Sequence, residues 1–402
     1  MIVEVVLVVA VVIFAWGTVS ARLEHADLTA PIVFVTVGAL LAASGLVEGS
    51  PGPAVTKPLV ELTLVWVLFA DAAGVPVRTL RSDLGSYVRL LAVALPLTVL
   101  AGWGLAYGLF PSLGPWLSLL VGAALAPTDA ALGLPVVANP RVPAQVRRLL
   151  TVESGLNDGI ATPVVMVAIA GAAAAGGVPD LPGVGAAAAE LGIGLLVGAG
   201  LGLAGGGTLG LARRRGWAAE ELTGIAVLAL ALAAYAGALA AHGNGFIAAF
   251  CGGLAFGASS GRRGASALVF LEQAGDFFSL LVWIAFGAVA LPIVAPRVDL
   301  ATVAYAILSL TVVRMLPVAV AAIGSGLDRT SVLFVGWFGP RGLASLVFAL
   351  LALEEFGDGA DEAVAVVGVT VLLSVVAHGL SARPLADRFG DVEGTDVGST
   401  AR

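Results

Sequence analysis

Charge is what this sequence has least of. Only 12% of its 402 residues are Asp, Glu, Lys or Arg, about half the share found in a soluble globular protein. That is too little charge to coat a water-facing surface of ordinary size. Lysine occurs once, at Lys57, and cysteine once, at Cys251. A single cysteine excludes a disulfide framework within the chain and a cysteine-rich metal site. The lone lysine lacks the glycine-rich context of a Walker nucleotide loop, which argues against ATP-driven work by this chain alone. No H-E-x-x-H zinc motif occurs. The polar segments between apolar runs are short, the stretch after Arg388 is a brief polar tail, and no soluble domain is visible. No cofactor and no nucleic-acid partner are expected.

Apolar sequence is abundant instead. Hydrophobic residues make up 59% of the chain and the mean hydropathy is +1.03. Runs long enough to cross the ~30 Å hydrocarbon core of a bilayer recur from end to end. The expected fold class is an all-α polytopic membrane protein. A β-barrel is excluded, because its strands would alternate apolar and polar residues at period two. Thirteen spans fall near residues 2–20, 31–46, 59–73, 87–110, 116–137, 149–175, 184–211, 222–241, 245–258, 277–295, 300–323, 331–353 and 363–381. The first lacks a basic n-region and a clear cleavage site, and reads as a retained helix rather than a signal peptide.

Basic residues test that count. With the N-terminus outside, the inside loops and tail hold Arg22, Arg78, Arg81, Arg89, Arg141, Arg147, Arg148, Arg213, Arg214, Arg215, Arg262, Arg263, Arg329, Arg383, Arg388 and Arg402. The outside loops hold only Lys57 and Arg297, together with the acidic cluster Glu354, Glu355, Asp358, Asp361 and Glu362. This is the sign that the positive-inside rule asks for, and one miscounted span would invert every later loop.

Against this background residues 125–163 stand out, because they place three carboxylates, Asp129, Glu153 and Asp158, inside apolar spans. Charge at bilayer depth costs about 3 kcal/mol per residue on insertion scales, so its presence points to use. Span five contains Ala126-Pro127-Thr128-Asp129, where proline removes a backbone hydrogen bond and frees carbonyls. Either an ion pathway or a plain kink with Asp129 capping a half-helix fits. In span six a helical turn of about 100° per residue stacks Glu153 on Asn157 and Ser154 on Asp158. Carboxylate, hydroxyl and amide oxygens are hard ligands suited to a small cation. A solvated position at the span's inner end is the plainer alternative for Glu153.

Arg314 in span eleven lies too deep to reach water and needs a carboxylate partner. Arg341 sits in Trp337-Phe338-Gly339-Pro340-Arg341-Gly342 of span twelve, which reads as a second interrupted helix. Spans five and twelve are each the fifth helix of a six-helix unit, with span seven between. Interrupted helices in corresponding places of two halves point to a transporter's central site, and the odd helix between inverts the second unit. The three acids and two arginines leave one negative charge, which one monovalent cation or one proton would neutralise.

Other signals are weaker. Gly194, Gly198, Gly202, Gly206 and Gly210 form a stripe that fits either a dimer contact or internal packing. Gly200-Leu201-Gly202-Leu203-Ala204-Gly205 matches a dinucleotide pattern but follows no strand. Gly257-Ala258-Ser259-Ser260-Gly261 matches a serine-hydrolase elbow without an evident histidine partner. His25 and His242 read as loop residues, His378 as a packed one. Asp71 and Asp276 read as capping or interfacial charges at span ends, and Cys251 as packing.

The combination APTDA (126–130), VESGLNDG (152–159) and an arginine one helix before WFGPRG (337–342) resembles the monovalent cation/proton antiporters, in particular the NhaP-type branch related to the eukaryotic sodium/proton exchangers. The resemblance covers essentially the whole chain. It implies that Asp158 binds cation and proton alternately, with Asn157, Glu153, Ser154, Thr128 and Asp129 as further site residues. Asp158, Glu153, Ser154 and Thr128 would ligate the cation. It pairs Arg314 with Glu153 and makes Arg341 a structural charge partner. The Asn-Asp branch is associated with electroneutral exchange. The implied fold is a homodimer of two inverted six-helix repeats. Residues 1–82 and 214–298 would form a static dimerisation domain and 83–182 and 299–388 a moving core. Residues 183–213 would link them, and 389–402 would be a short cytoplasmic tail. Many members carry proline after the Thr-Asp aspartate, where this chain has Ala130. The long regulatory tail of the animal exchangers has no counterpart in the sequence.

The expected function is therefore exchange of sodium for a proton across a cell membrane. A potassium-selective antiporter, a cation channel and an intramembrane hydrolase using Ser259 are the alternatives. The topology is directly testable. With Cys251→Ser as background, Val298→Cys should react with a membrane-impermeant maleimide in intact cells, and Gly216→Cys only after permeabilisation. The reverse pattern would invert the assignment.

Overall fold

In lipid every backbone N–H and C=O must find its partner inside the protein, so long apolar runs fold as helices. The computed structural model describes residues 2–24, 28–46, 53–75, 83–129, 132, 134–176, 184–260 and 264–397. His25, Arg78, Arg81, Ala130, Gly261, Arg262, Arg263 and Arg402 lie outside the described residues. Among those described there is no strand.

The described residues form thirteen successive helical segments, eight of them containing a stretch long and apolar enough to cross a membrane. The segments are α1 (Ile2–Glu24), α2 (Ala30–Ala43), α3 (Pro53–Gly74), α4 (Leu84–Leu109) and α5 (Gly114–Ala124, then Leu134–Val137). There follow α6 (Ala144–Gly176), α7 (Val184–Arg214), α8 (Glu220–Ala240) and α9 (Gly245–Ser260). The last four are α10 (Gly264–Ala285, continuing to Val294), α11 (Leu300–Ala321), α12 (Arg329–Trp337, then Leu343–Phe356) and α13 (Asp361–Val397). Helices α1–α6 and α8–α13 are the two inverted repeats, and the fifth of each is broken, as the placement of proline and glycine predicts.

Hydropathy marks the part of a helix in hydrocarbon, not its ends. Thus α10 begins at Gly264 rather than near 277, α6 begins at Ala144 rather than near 149, and α13 runs through Pro384 to Val397, into the segment read as a tail. Three local distortions occur. Two are π-helical turns over Leu90–Ala94 and Phe286–Ala290, each followed at once by a Leu-Pro pair whose proline, Pro96 or Pro292, cannot donate to the preceding turn. The third is a kink at Thr311, where φ and ψ are −108° and −91°.

Polar contacts sort the loops onto two faces. Arg148 pairs with Asp83 (2.8 Å), Arg141 with Asp387 (2.9 Å), and Arg89 donates to the Ile323 carbonyl (2.9 Å). On the other face Lys57 pairs with Glu355 (3.1 Å), Arg297 with Asp361 (2.6 Å), and Ser112 bonds Glu362 (2.5 Å). Every partner falls on the side that thirteen alternating crossings assign it. Asp328, at the first of these faces, caps the start of α12; hydrogen bonds from Ser331 and Thr330 hold its carboxyl below the usual carboxylate range.

Two groups of helices pack around α6. Helix α9 lies between α7 and α3, and α3 and α2 pack on α10. The other group joins α4, α5, α6, α11, α12 and α13, with an apolar cluster at one end that includes Leu90, Val146, Leu149, Phe334, Phe338 and Phe389. Four glycines of the α7 stripe, Gly194, Gly198, Gly202 and Gly206, serve internal packing, while Gly210 meets nothing. A Cβ at Gly194, Gly198 or Gly202 would overlap the carbonyls of Asn244, Ala248 or Gly252 on α9, and one at Gly206 would overlap the Ser259 hydroxyl. Gly200, on the opposite face, meets nothing. Gly198→Val should therefore cost about 1–3 kcal/mol through overpacking and lower the melting temperature in detergent, whereas Gly200→Val should leave it unchanged.

Candidate functional site

Both helix breaks come from backbone chemistry. Pro127 cannot donate to the preceding turn and its ring clashes with it, so α5 ends at Ala124. Gly339 and Pro340 do the same to α12, which stops at Trp337 and resumes at Leu343. Each broken end orphans carbonyls or N–H groups. The two breaks cross, and each supplies what the other lacks. The Asp129 N–H donates to the Pro340 carbonyl at 2.8 Å. The Arg341 guanidinium donates to the carbonyls of Ala126 and Pro127, the latter at 2.9 Å. In return the Asp129 carboxylate accepts the Leu343 N–H at 3.0 Å and the Leu132 N–H at 3.3 Å. An anion thus sits at a helix start and a cation at a helix end, the favourable sense for both dipoles. Gly342 is required by space: a Cβ there would overlap the Asp129 carboxylate.

A second clamp holds the α12 break. Ser374 Oγ accepts the Arg341 N–H at 2.7 Å and lies 3.0 Å from His378 Nδ1, while His378 Nε2 lies 2.8 Å from the Trp337 carbonyl. His378 Nδ1 also lies 2.9 Å from the Ser374 carbonyl. His378 is packed, as expected, and its packing consists of this clamp.

Glu153 and Arg314 meet edge to edge, with Nη1–Oε1 at 2.6 Å and Nη2–Oε2 at 2.9 Å. Only 2% of Glu153 and 1% of Arg314 are exposed, so the plainer reading of Glu153 as a solvated end residue fails. Next to this pair, Thr128 Oγ1 lies 2.9 Å from Ser154 Oγ and accepts from Asn157 Nδ2 at 2.7 Å. Those bonds fasten the α5 break to α6.

Beside the crossing lies a small cavity of about 10 Å³, lined by Pro127, Thr128, Asp129, Asp158, Gly342, Ala344 and Ser345. Asp158 is 8% exposed, and its carboxylate finds no hydrogen-bond partner among the described residues. The structure therefore sorts the eight candidate residues by role. Thr128, Asp129 and Asp158 reach the cavity. Ser154 and Asn157 stand behind Thr128. Glu153, Arg314 and Arg341 are committed to one another or to backbone.

Sequence reasoning missed two parts of this region. Ser345 lines the cavity and has no motif to announce it. Asp71 and Asp276 were expected at span ends, but Asp276 lies well inside α10, together with Glu272. The charges of Asp71 and Asp129 both act on Asp158, and those of Glu272 and Asp276 act on Asp71. The helix begins at Gly264, well before the apolar run that starts near residue 277, so hydropathy leaves both acids outside the span. Ser259 spends its hydroxyl on the Ala255 carbonyl at 2.8 Å, an ordinary helix serine.

Inverted repeats whose broken fifth helices cross beside a buried, unpartnered carboxylate define the molecule as an ion-transporter fold. Comparison with known proteins narrows this. Residues 7–388 match the family described as sodium/hydrogen exchanger, transmembrane, and the chain belongs to that family, whose members are transporters and not enzymes. A Na(+)/H(+) antiporter of Schizosaccharomyces pombe is 30% identical over 125 residues, 30% of this chain and 27% of that protein. One of Saccharomyces cerevisiae is 34% identical over 123 residues, 29% and 12% respectively. The chain thus spans about a quarter or less of these relatives. Two structures of the sodium proton antiporter MjNhaP1 from Methanocaldococcus jannaschii share the fold. One, at pH 8, has a TM-score of 0.68 at 18% identity and covers 96% of this chain and 99% of that one. The other scores 0.74 at 17% identity, covering 96% and 98%.

The buried ion pair makes a stability prediction. Arg314→Met strands Glu153 and should destabilise the protein by about 3–5 kcal/mol. Adding Glu153→Gln should recover much of that loss in detergent melting curves. Equal melting of single and double variants would contradict the pairing.

Proposed function

We propose that the chain is a secondary antiporter that exchanges one monovalent cation, sodium, for one proton, electroneutrally and by alternating access. The observation that carries this is Asp158. Around it Glu153 is matched by Arg314, and Asp129 and Arg341 neutralise each other's helix ends across the crossing. Asp158 is left as the unmatched charge beside the cavity. An uncompensated charge opposes passage through hydrocarbon, and either a proton or a cation removes it. Both cannot occupy one carboxylate with the charge still balanced, so the two compete. A core that moves only when neutral then couples their flows without ATP.

The moving core is residues 83–182 and 299–388, the static domain 1–82 and 214–298, and the link 183–213. The face of α6 turned toward the static side supports this division. Gly155 lies beneath the Asp71 carbonyl and Gly159 beneath the Phe250 ring, where a Cβ would be 3.4 Å from the former and would overlap the latter. A surface without side chains offers little resistance to sliding. Polar ties between the bodies include Lys57–Glu355 at 3.1 Å, Thr56–Glu354 at 2.7 Å and Arg297–Asp361 at 2.6 Å. We further propose a homodimer in the cell membrane with the N-terminus outside and the C-terminus cytoplasmic, which the distribution of arginine supports.

Proteoliposomes with an imposed proton gradient test the reading. External sodium should drive proton movement that is insensitive to a clamped membrane potential and is lost in Asp158→Asn. Potassium in place of sodium as the effective ion would change the substrate but keep the mechanism. Cation current without proton counter-flux, surviving in Asp158→Asn, would overturn the proposal in favour of a channel.

A further inference from the structure

The hydroxyls around the cavity are not equivalent. Thr128 Oγ1 and Ser154 Oγ bond each other at 2.9 Å, and Thr128 also takes the Asn157 amide at 2.7 Å. Ser345 lines the same cavity as Asp158 and is 2% exposed, yet its side chain has no hydrogen-bond partner among the described residues. A serine three residues past the cap of a helix normally bonds back to local backbone. With no partner of its own and a place in the cavity lining, its oxygen is free to bond an occupant there.

We infer that Ser345 supplies an oxygen ligand to the transported cation, opposite Asp158, and so helps set which cation the site takes. The inference rests on the antiport reading and adds a ligand from the second broken helix to those on α5 and α6. A hydroxyl is a hard, neutral oxygen donor. It shortens the cation's list of missing ligands without altering the charge balance. The start of a helix ordinarily repels a cation. Here the Asp129 carboxylate, accepting the Leu343 N–H, offsets that positive end. The crossing thereby makes the α12 terminus habitable for a cation.

The test uses the full chain with Ser345→Ala and Ser345→Thr, in proteoliposomes and in sodium titrations by calorimetry. Ser345→Ala should raise the apparent KM and the Kd for sodium about tenfold, which is ~1.4 kcal/mol, and lower the maximum rate far less. The ranking of lithium, sodium and potassium should shift, and the melting temperature without sodium should hold. Ser345→Thr, which keeps the hydroxyl, should restore sodium affinity. Unchanged affinity and selectivity in an active, stable Ser345→Ala would overturn the inference and leave antiport standing. So would a lowered melting temperature with all cations affected equally, the mark of a packing role. A wild-type protein that neither binds sodium nor exchanges it for protons would overturn both readings.

Discussion

The whole site depends on one constraint: backbone polar groups cannot stay unpaired away from water. Breaking two helices inside a membrane would be prohibitive if each break stood alone. Crossed, they exchange caps, with Arg341 of α12 on the carbonyls of α5 and Asp129 of α5 on the Leu343 N–H of α12. Neither break is stable without the other, so the two repeats are locked at the point where the ion site must be built. The Ser374–His378 clamp extends the same logic to α13.

The charges follow from that arrangement. Bringing Asp129, Glu153, Asp158, Arg314 and Arg341 together is tolerable because four of them are spent on structure. Glu153 and Arg314 tie α6 to α11, and the Asp129–Arg341 exchange ties α5 to α12. Function is left to the carboxylate that none of this consumes. The division explains how so charged a centre coexists with a chain that has little charge elsewhere. Under the proposed mechanism this gives two kinds of necessity: the paired charges hold the site's shape, and Asp158 holds the ion. Three further acids, Asp71 on α3 and Glu272 and Asp276 on α10, lie on the other side of α6.

Much of this was legible in the sequence because lipid leaves few choices. Apolar runs had to be helices, and proline and glycine had to break them. Arg314 had to find a carboxylate, and the arginine distribution had to follow the loops. Helix ends were less legible: hydropathy reports where hydrocarbon begins, so Glu272 and Asp276 fell outside the tenth span as drawn, although α10 starts at Gly264. The glycine stripe of α7 was legible as a close contact, but not its partner.

What the sequence alone determined were the local consequences of composition: the helices, their number, the two breaks and the presence of buried charge. Only the tertiary structure decided how those charges were spent. Asp129 and Asp158 read alike along the chain, each an acid in an apolar span. One became a helix cap and the other a free carboxylate, because the α12 terminus arrives at Asp129 and none of the described residues bonds the carboxylate of Asp158. Which oxygens remain available depends on distances between residues two hundred positions apart, and no local pattern encodes them.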